Sequence, residues 1–249
     1  LGVVFQQPSL DRKLTATENL VLALRSHGWA KRDAQSRARE LLELDGLLER
    51  ADEIVDGFSG GMRRRVDLLR ALAHRPRLLL MDEPSTGLDE RSFRSLWRAV
   101  TKLRDREGVS VLVATHKADE AAQCDRLMVL AGGREVTRGT PEELIANLHA
   151  DVLELEVGTE QEPEAIADEL RARCSLDARV HGRHLEVACE AGPQRLVEVV
   201  EAMGQGTFAS ISVRRPSLAD VFFELSGVRL DEDQNPPAPK RKRGRRRAA

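Results

Sequence analysis

The sequence has no uninterrupted apolar run near the roughly 18 residues that a membrane-crossing helix requires. If the protein works at a membrane, another chain is expected to cross it. The first residues also lack the charged, then apolar, then small pattern of a secretory signal. Cysteine is scarce. Cys124, Cys174 and Cys189 are odd in number and far apart, with no CxxC and no histidine at metal-ligand spacing. That spacing argues against a disulfide framework or a structural metal and for reduced thiols. A start methionine is missing too: Leu1 opens inside the strand-like run LGVVF, so the sequence is expected to be a fragment without its beginning.

An apolar content of 41% and a charged content of 32% describe a globular chain, and 249 residues suffice for one large domain or a domain and a half. The net charge of −2 conceals an asymmetry. Lys240 to Arg247, KRKRGRRR, holds seven positive charges, which leaves residues 1–239 at −9. The end of the chain, DEDQNPPAPKRKRGRRRAA, has the composition of a disordered tail. Such a tail suits anionic lipid at a membrane face. Nucleic acid is the weaker partner, because no base-stacking aromatic residues or recognition fold accompany the basic run. The plain alternative is a solubilising end.

Leu1 to Phe5 reads as a buried strand, broken at Gln6-Gln7-Pro8. Thr15 and Glu18 have capping-box spacing, which predicts a helix to about Ser26, and a second follows over Lys31–Glu43. Helical spacing returns at Met62, Val66, Leu69 and Ala73, closed by Pro76. Arg77 to Met81 is a predicted strand. A helix from Asp89 carries Phe93, Leu96, Trp97, Val100 and Leu103 on one stripe, and Val109–Ala114 is the next strand. Gly132-Gly133 marks a hairpin, and Thr140-Pro141 opens a helix. Strands alternating with helices predict a largely parallel sheet covered on both faces. After Asp151 the texture changes to strand, helix, strand, strand, helix, strand, the split pattern of a small ferredoxin-like α+β domain, with a last helix over Ser217–Leu225.

Chemistry concentrates between Phe58 and Asp89. Leu78 to Met81 leads into Asp82-Glu83, which sets two carboxylates at the carboxyl edge of a parallel sheet, where such folds bind ligands. Two solvated acids ending a strand are the bland alternative. Ser59-Gly60-Gly61 offers a hydroxyl and backbone amides at a helix start, an anion-binding arrangement that also reads simply as a glycine-rich cap. Gln6, with Gln7 as its alternative, follows one strand, and His116 ends another, VLVATH. His27, His74, His149, His181 and His184 have no such setting and read as surface or structural residues.

In that order, Gln6, FSGGM, LLLMDEP, STGLD and VATH resemble the Q-loop, signature loop, Walker B strand, D-loop and switch histidine of an ATP-binding cassette (ABC) ATPase over about residues 1–147. The resemblance implies an α/β, P-loop NTPase-like cassette at 1–149, an accessory α+β domain at 150–228 and a basic tail at 229–249. It implies ATP and Mg²⁺ as cofactors. By resemblance, Glu83 is the general base, His116 contacts the γ-phosphate, and Asp82 and Gln6 serve the metal. Ser59, Gly60 and Gly61 would clasp nucleotide held by an opposite subunit, and Asp89 would signal across that dimer. Met62 stands where the family has glutamine, which removes an amide side chain but not the serine and glycines. No GxxxxGK[ST] occurs in the 249 residues. That loop cradles the phosphates, so the chain alone is expected to bind ATP poorly and hydrolyse little.

Both FSGGMRRR and RRPSLADVFFELSG (Arg214–Gly227) resemble exporter subunits of drug-resistance type. The implied partners are a membrane permease and a second, identical ATPase subunit, at the cytoplasmic face of the membrane. Two other readings compete: a soluble ABC ATPase acting on nucleic acid or ribosomes, and a non-catalytic regulatory fragment.

Overall fold

The computed structural model describes residues 1–148, 150–159, 161–204 and 206–226. Two compact units divide between Asp125 and Arg126.

In the first unit, β1 (Gly2–Val4), β2 (Leu78–Asp82) and β3 (Ser110–Ala114) form a parallel sheet in that order. Val4 lies opposite Met81, and Asp82 opposite Ala114. Helices α1 (Ala16–Ser26), α2 (Lys31–Leu44), α3 (Gly60–Leu72) and α4 (Glu90–Glu107) supply most of the core. The predicted capping box starts α1: Thr15 Oγ1 accepts from the Glu18 amide at 3.1 Å, and Glu18 accepts from the Thr15 amide at 2.8 Å. Asp89 caps α4, and Gly108, in the left-handed region at φ 64°, ends it. Both termini thereby satisfy backbone groups that a helix leaves orphaned.

Periodicity placed the buried stripes well. Leu41 and Leu42 of α2, Val66 and Leu69 of α3, and Leu96 and Leu103 of α4 are all buried. Two details differ from the expectation. Helix α3 ends at Leu72 rather than reaching Pro76, because Arg75 turns left-handed at φ 56° and starts the passage into β2. Coverage of the sheet is also one-sided: Val4, Leu79 and Met81 are buried in the helical core, whereas Leu112 on the opposite face is 60% exposed. A four-residue helix, α5 (Ala118–Ala121), follows β3 and had no sequence signal long enough to read.

The second unit begins with the hairpin β4 (Leu127–Ala131) and β5 (Arg134–Gly139), whose Gly132 and Gly133 both have positive φ, as a tight primed turn needs. Helix α6 (Pro141–Ala146) follows, with Thr140 and Glu143 forming a second capping box. The sequence boundary at 149/150 had grouped this hairpin and α6 with the cassette. They lie in the second unit instead, packed against α9 (Leu218–Ser226).

Beyond them come β6 (Asp151–Val157), α7 (Pro163–Cys174), β7 (Arg179–His181), β8 (His184–Cys189), α8 (Gly192–Met203) and β9 (Phe208–Arg214). This is the predicted element order. The four strands form one antiparallel sheet in the order β7-β8-β6-β9. Leu153, Leu155, Leu185 and Val187 of the sheet are buried in one cluster with Leu170 of α7 and Val199 of α8. The basic tail, and with it the expectations of disorder and lipid binding, lies outside the described residues, as does His149.

Arg214 ties α9 to this sheet. Its guanidinium grips Asp220 at 2.6 and 3.0 Å and donates to Glu154 at 2.6 Å. Burial raises the Asp220 pKa, but hydrogen bonds from Arg214 and Ser217 outweigh it and hold the group at about 2, below the ordinary 3.8. A carboxylate depressed on folding stabilises above its unfolded pKa, and that contribution disappears as pH falls through the folded value. Asp220→Asn should therefore cost about 2 kcal/mol at pH 7, a difference that shrinks between about pH 4 and 2. Denaturant unfolding of both forms across that range checks it; a gap independent of pH would refute the assignment.

Candidate functional site

Parallel strands in register deliver their carboxyl ends to one edge. Gln6 stands two residues beyond β1, Glu83 one beyond β2 and His116 two beyond β3. Gln6 Nε2 donates to Glu83 Oε2 at 2.8 Å, Thr86 Oγ1 donates to the same oxygen at 3.2 Å, and His116 Nδ1 lies 2.8 Å from Oε1. Gln6 rather than Gln7 makes the contact. A carboxylate has about four acceptor positions, so three partners orient Glu83 and leave room for the proton of a water. Glu83 itself sits at φ 42°, a left-handed backbone uncommon for a residue with a side chain, and its N–H is held by the Ala114 carbonyl at 2.9 Å.

Asp82 is exposed at the same edge, and among the described residues its carboxylate makes no hydrogen bond. It is an oxygen donor left open to a cation.

Ser59, Gly60 and Gly61 begin α3. Ser59 is the N-cap, accepting from the Met62 amide at 3.2 Å. A side chain on Gly60 would meet no atom within 4 Å, whereas a Cβ on Gly61 would fall 2.5 Å from Ser92 Oγ on α4. The two glycines thus do different things. Gly60 leaves the helix start open, and Gly61 lets α4 come close. Asp89 faces this junction as the cap of α4, accepting from the Ser92 amide at 2.7 Å, and that bond holds its carboxyl below the usual range.

Three further polar residues build the site without having stood out in the sequence. Arg64, Asp67 and Glu120 are at most 3% exposed. Arg64 donates to the carbonyls of Phe5, Pro84 and, at 3.3 Å, Glu83, so one guanidinium joins the loop of Gln6 to the loop of Glu83. Asp67 accepts from the Ser9 amide at 3.2 Å and from Arg70 Nε at 2.9 Å. Burial raises the Asp67 pKa and lowers that of Arg64, each opposed by the other's charge. Glu120 on α5 accepts from the amide of Ser85 at 2.8 Å and from its hydroxyl. In the sequence, a charge within a helix has the same letter whether it points inward or outward.

Three of the other histidines make contacts away from this edge, and His184 is exposed. His27 and His74 stack at 3.9 Å, and His181 lies 3.9 Å from Glu186.

A carboxylate braced at the carboxyl edge of a parallel sheet, with a serine-glycine helix start in the same unit, is the arrangement of a nucleotide-hydrolysing α/β protein. Comparison with known proteins narrows this. The family model described as ABC transporter matches residues 1–86. The linearmycin resistance ATP-binding protein LnrL of Bacillus subtilis is 33% identical over 237 residues, which cover 92% of this chain and 75% of that protein. The Nod factor export ATP-binding protein I of Rhizobium etli is 34% identical over 234 residues (93% and 71%). The daunorubicin/doxorubicin resistance ATP-binding protein DrrA of Streptomyces peucetius is 36% identical over 233 residues (93% and 68%). The chain belongs to the ABC transporter ATP-binding proteins.

Gly61→Ala should push α3 from α4 and cost about 1–3 kcal/mol, the usual range for overpacking. Ser92→Gly in the same chain should recover most of it. Thermal melts of the single and double variants check this; equal losses in both would show that the close approach does not need the glycine.

Proposed function

We propose that the chain is the ATP-hydrolysing part of an exporter, with Glu83 as general base. The alignment of its carboxylate by Gln6, Thr86 and His116 is the observation that carries this reading. Glu83 accepts the proton of the attacking water, while Gln6 and His116 keep its two oxygens from rotating away. An acceptor held in place has already lost the freedom that a free carboxylate would give up at each turnover. His116 meets Glu83 through Nδ1, and its other ring nitrogen can also donate to a phosphate oxygen only in the ring form that carries both protons. The Ser59 hydroxyl and the amides of Gly60 and Gly61 donate to phosphate oxygens of nucleotide carried by a second copy, and Asp89 relays between the copies.

The donor set fits Mg²⁺. Asp82 is open, and Gln6 turns its amide nitrogen to Glu83, which leaves its carbonyl oxygen free for a hard cation. Among the described residues no three His, Cys, Asp or Glu side chains group to hold a metal. The ion would thus rest on one or two protein oxygens with phosphate and water, the usual Mg²⁺ arrangement. When bound, it neutralises charge developing on the transferred phosphoryl group.

The names of the relatives, two for resistance and one for export, support export as the work done. The same names support a separate permease as the pathway, with this subunit at its cytoplasmic face; no helix among the described residues is long and apolar enough to cross a membrane. By sequence, residues 1–149 handle ATP and 150–228 are accessory.

In the complete gene product, Glu83→Gln should lower ATP turnover at least about 100-fold, the typical worth of a general base, with nucleotide binding retained. His116→Ala should lower it roughly 10-fold or more. Phosphate release and binding of a fluorescent ATP analogue are the readouts. Turnover by Glu83→Gln at the wild-type rate would overturn the assignment.

A further inference from the structure

Glu120 is fully buried, yet its carboxylate holds only the Ser85 amide and hydroxyl, and its Oε2 has no hydrogen-bond partner among the described residues. Stability alone does not account for such a group. Taking a carboxylate out of water costs several kcal/mol, and an apolar side chain of similar volume often does as well or better. What it grips is more informative. Ser85 stands two residues after Glu83, and Glu120 four residues after His116. Its charge also acts on Arg64, which holds the carbonyls of Asp82, Glu83 and Pro84.

The turn from Asp82 to Ser85 is therefore held by opposite charges: a guanidinium on its carbonyls and a carboxylate on the amide that follows. Glu83 lies within that turn at φ 42°. A left-handed backbone at a residue with a side chain costs on the order of 1–3 kcal/mol and persists where its surroundings over-determine it. Without the grip on Ser85, the turn could relax toward ordinary backbone angles. Such a relaxation would swing the Glu83 carboxylate away from Gln6 and His116.

We infer that Glu120 is a positioning residue, which holds the loop after Glu83 so that the Glu83 carboxylate meets Gln6 and His116 together. The inference rests on the hydrolytic reading of Glu83. It makes α5 part of the catalytic geometry although none of its side chains touches the reacting atoms.

The test uses the complete gene product, with Glu120→Gln, Ser85→Ala, the double variant and Glu83→Gln as a control. Glu120→Gln keeps the shape and removes the charge. Ser85→Ala removes the hydroxyl from the other side and guards against a Glu120 variant that does not fold. The turnover number is expressed per molecule that binds a fluorescent ATP analogue, so loss of folded protein drops out. Glu120→Gln is expected to lower kcat roughly 10- to 100-fold, the scale of a small misplacement, with KM and analogue affinity within about threefold. Ser85→Ala should lower kcat in the same direction. The double variant should be no worse than Glu120→Gln alone, since the two groups act through one contact. Full kcat in both single variants, with Glu83→Gln inactive, would overturn this inference and leave the hydrolytic reading standing. Full activity in Glu83→Gln would sink that reading itself. A parallel loss of kcat and affinity, or additive losses, would reduce Glu120 to a general structural role.

Discussion

The guanidinium of Arg64 is the contact on which the first unit's chemistry depends. It enters from α3 and holds carbonyls of two loops that are about 80 residues apart in the chain. Backbone carbonyls in a buried turn must find donors, and here one side chain serves several of them. A charge in that position has its own cost, which Asp67 and Glu120 offset from two sides. The result is a small charged core beneath the reactive edge. Breaking one member of such a group leaves the others uncompensated, a loss of about 3–5 kcal/mol for a buried pair.

That arrangement also ties the serine-glycine start of α3 mechanically to the carboxylate edge. Ser59 caps the helix from which Arg64 projects, one turn later. A shift of α3 along its axis would therefore move the anion-binding end and the clamp on the Glu83 loop together. Gln6 is held both through its amide, by Glu83, and through its backbone carbonyl, by Arg64 at 3.4 Å.

How much of this could be read in the sequence follows from what each signal encodes. Gln6, Glu83 and His116 were picked out by their likeness to cassette motifs, and each follows an apolar strand, so parallel pairing in register brings them to one edge. The order of strands and helices from β6 to β9 was legible because apolar alternation and helical spacing mark those elements locally. Arg64 was not. Arg63, Arg64 and Arg65 are three identical letters, and a helix turns about 100° per residue between them. Arg63 reaches the Phe58 carbonyl at 2.5 Å, Arg65 pairs with Asp45 at 2.9 Å, and only Arg64 points into the core. The distinction depends on where neighbouring helices lie. Glu120 was hidden for a related reason: α5 is a single turn, too short to show a period, and its partner Ser85 is 35 residues away. The compact units divide earlier than the boundary expected from sequence because the partner of the hairpin and α6, helix α9, comes almost last in the described chain.

Two residues expected to address a ligand are already engaged as caps, and the chemistry of the groups decides whether that excludes the second role. A serine hydroxyl has one donor and two acceptor positions. Ser59 uses an acceptor position for the Met62 amide, so its proton remains available to an anion. Asp89 accepts from Ser92 through Oδ1, which leaves Oδ2 uncommitted by that bond. Capping therefore orients both groups rather than consuming them. Because Gly61 admits Ser92 at close range, the two caps sit on helices that share a tight contact. A displacement at one cap is then resisted, or passed on, at the other. Steric contact between α3 and α4 thus joins the start of one helix to the exposed cap of the next, with no hydrogen bond between Ser59 and Asp89 among the described residues.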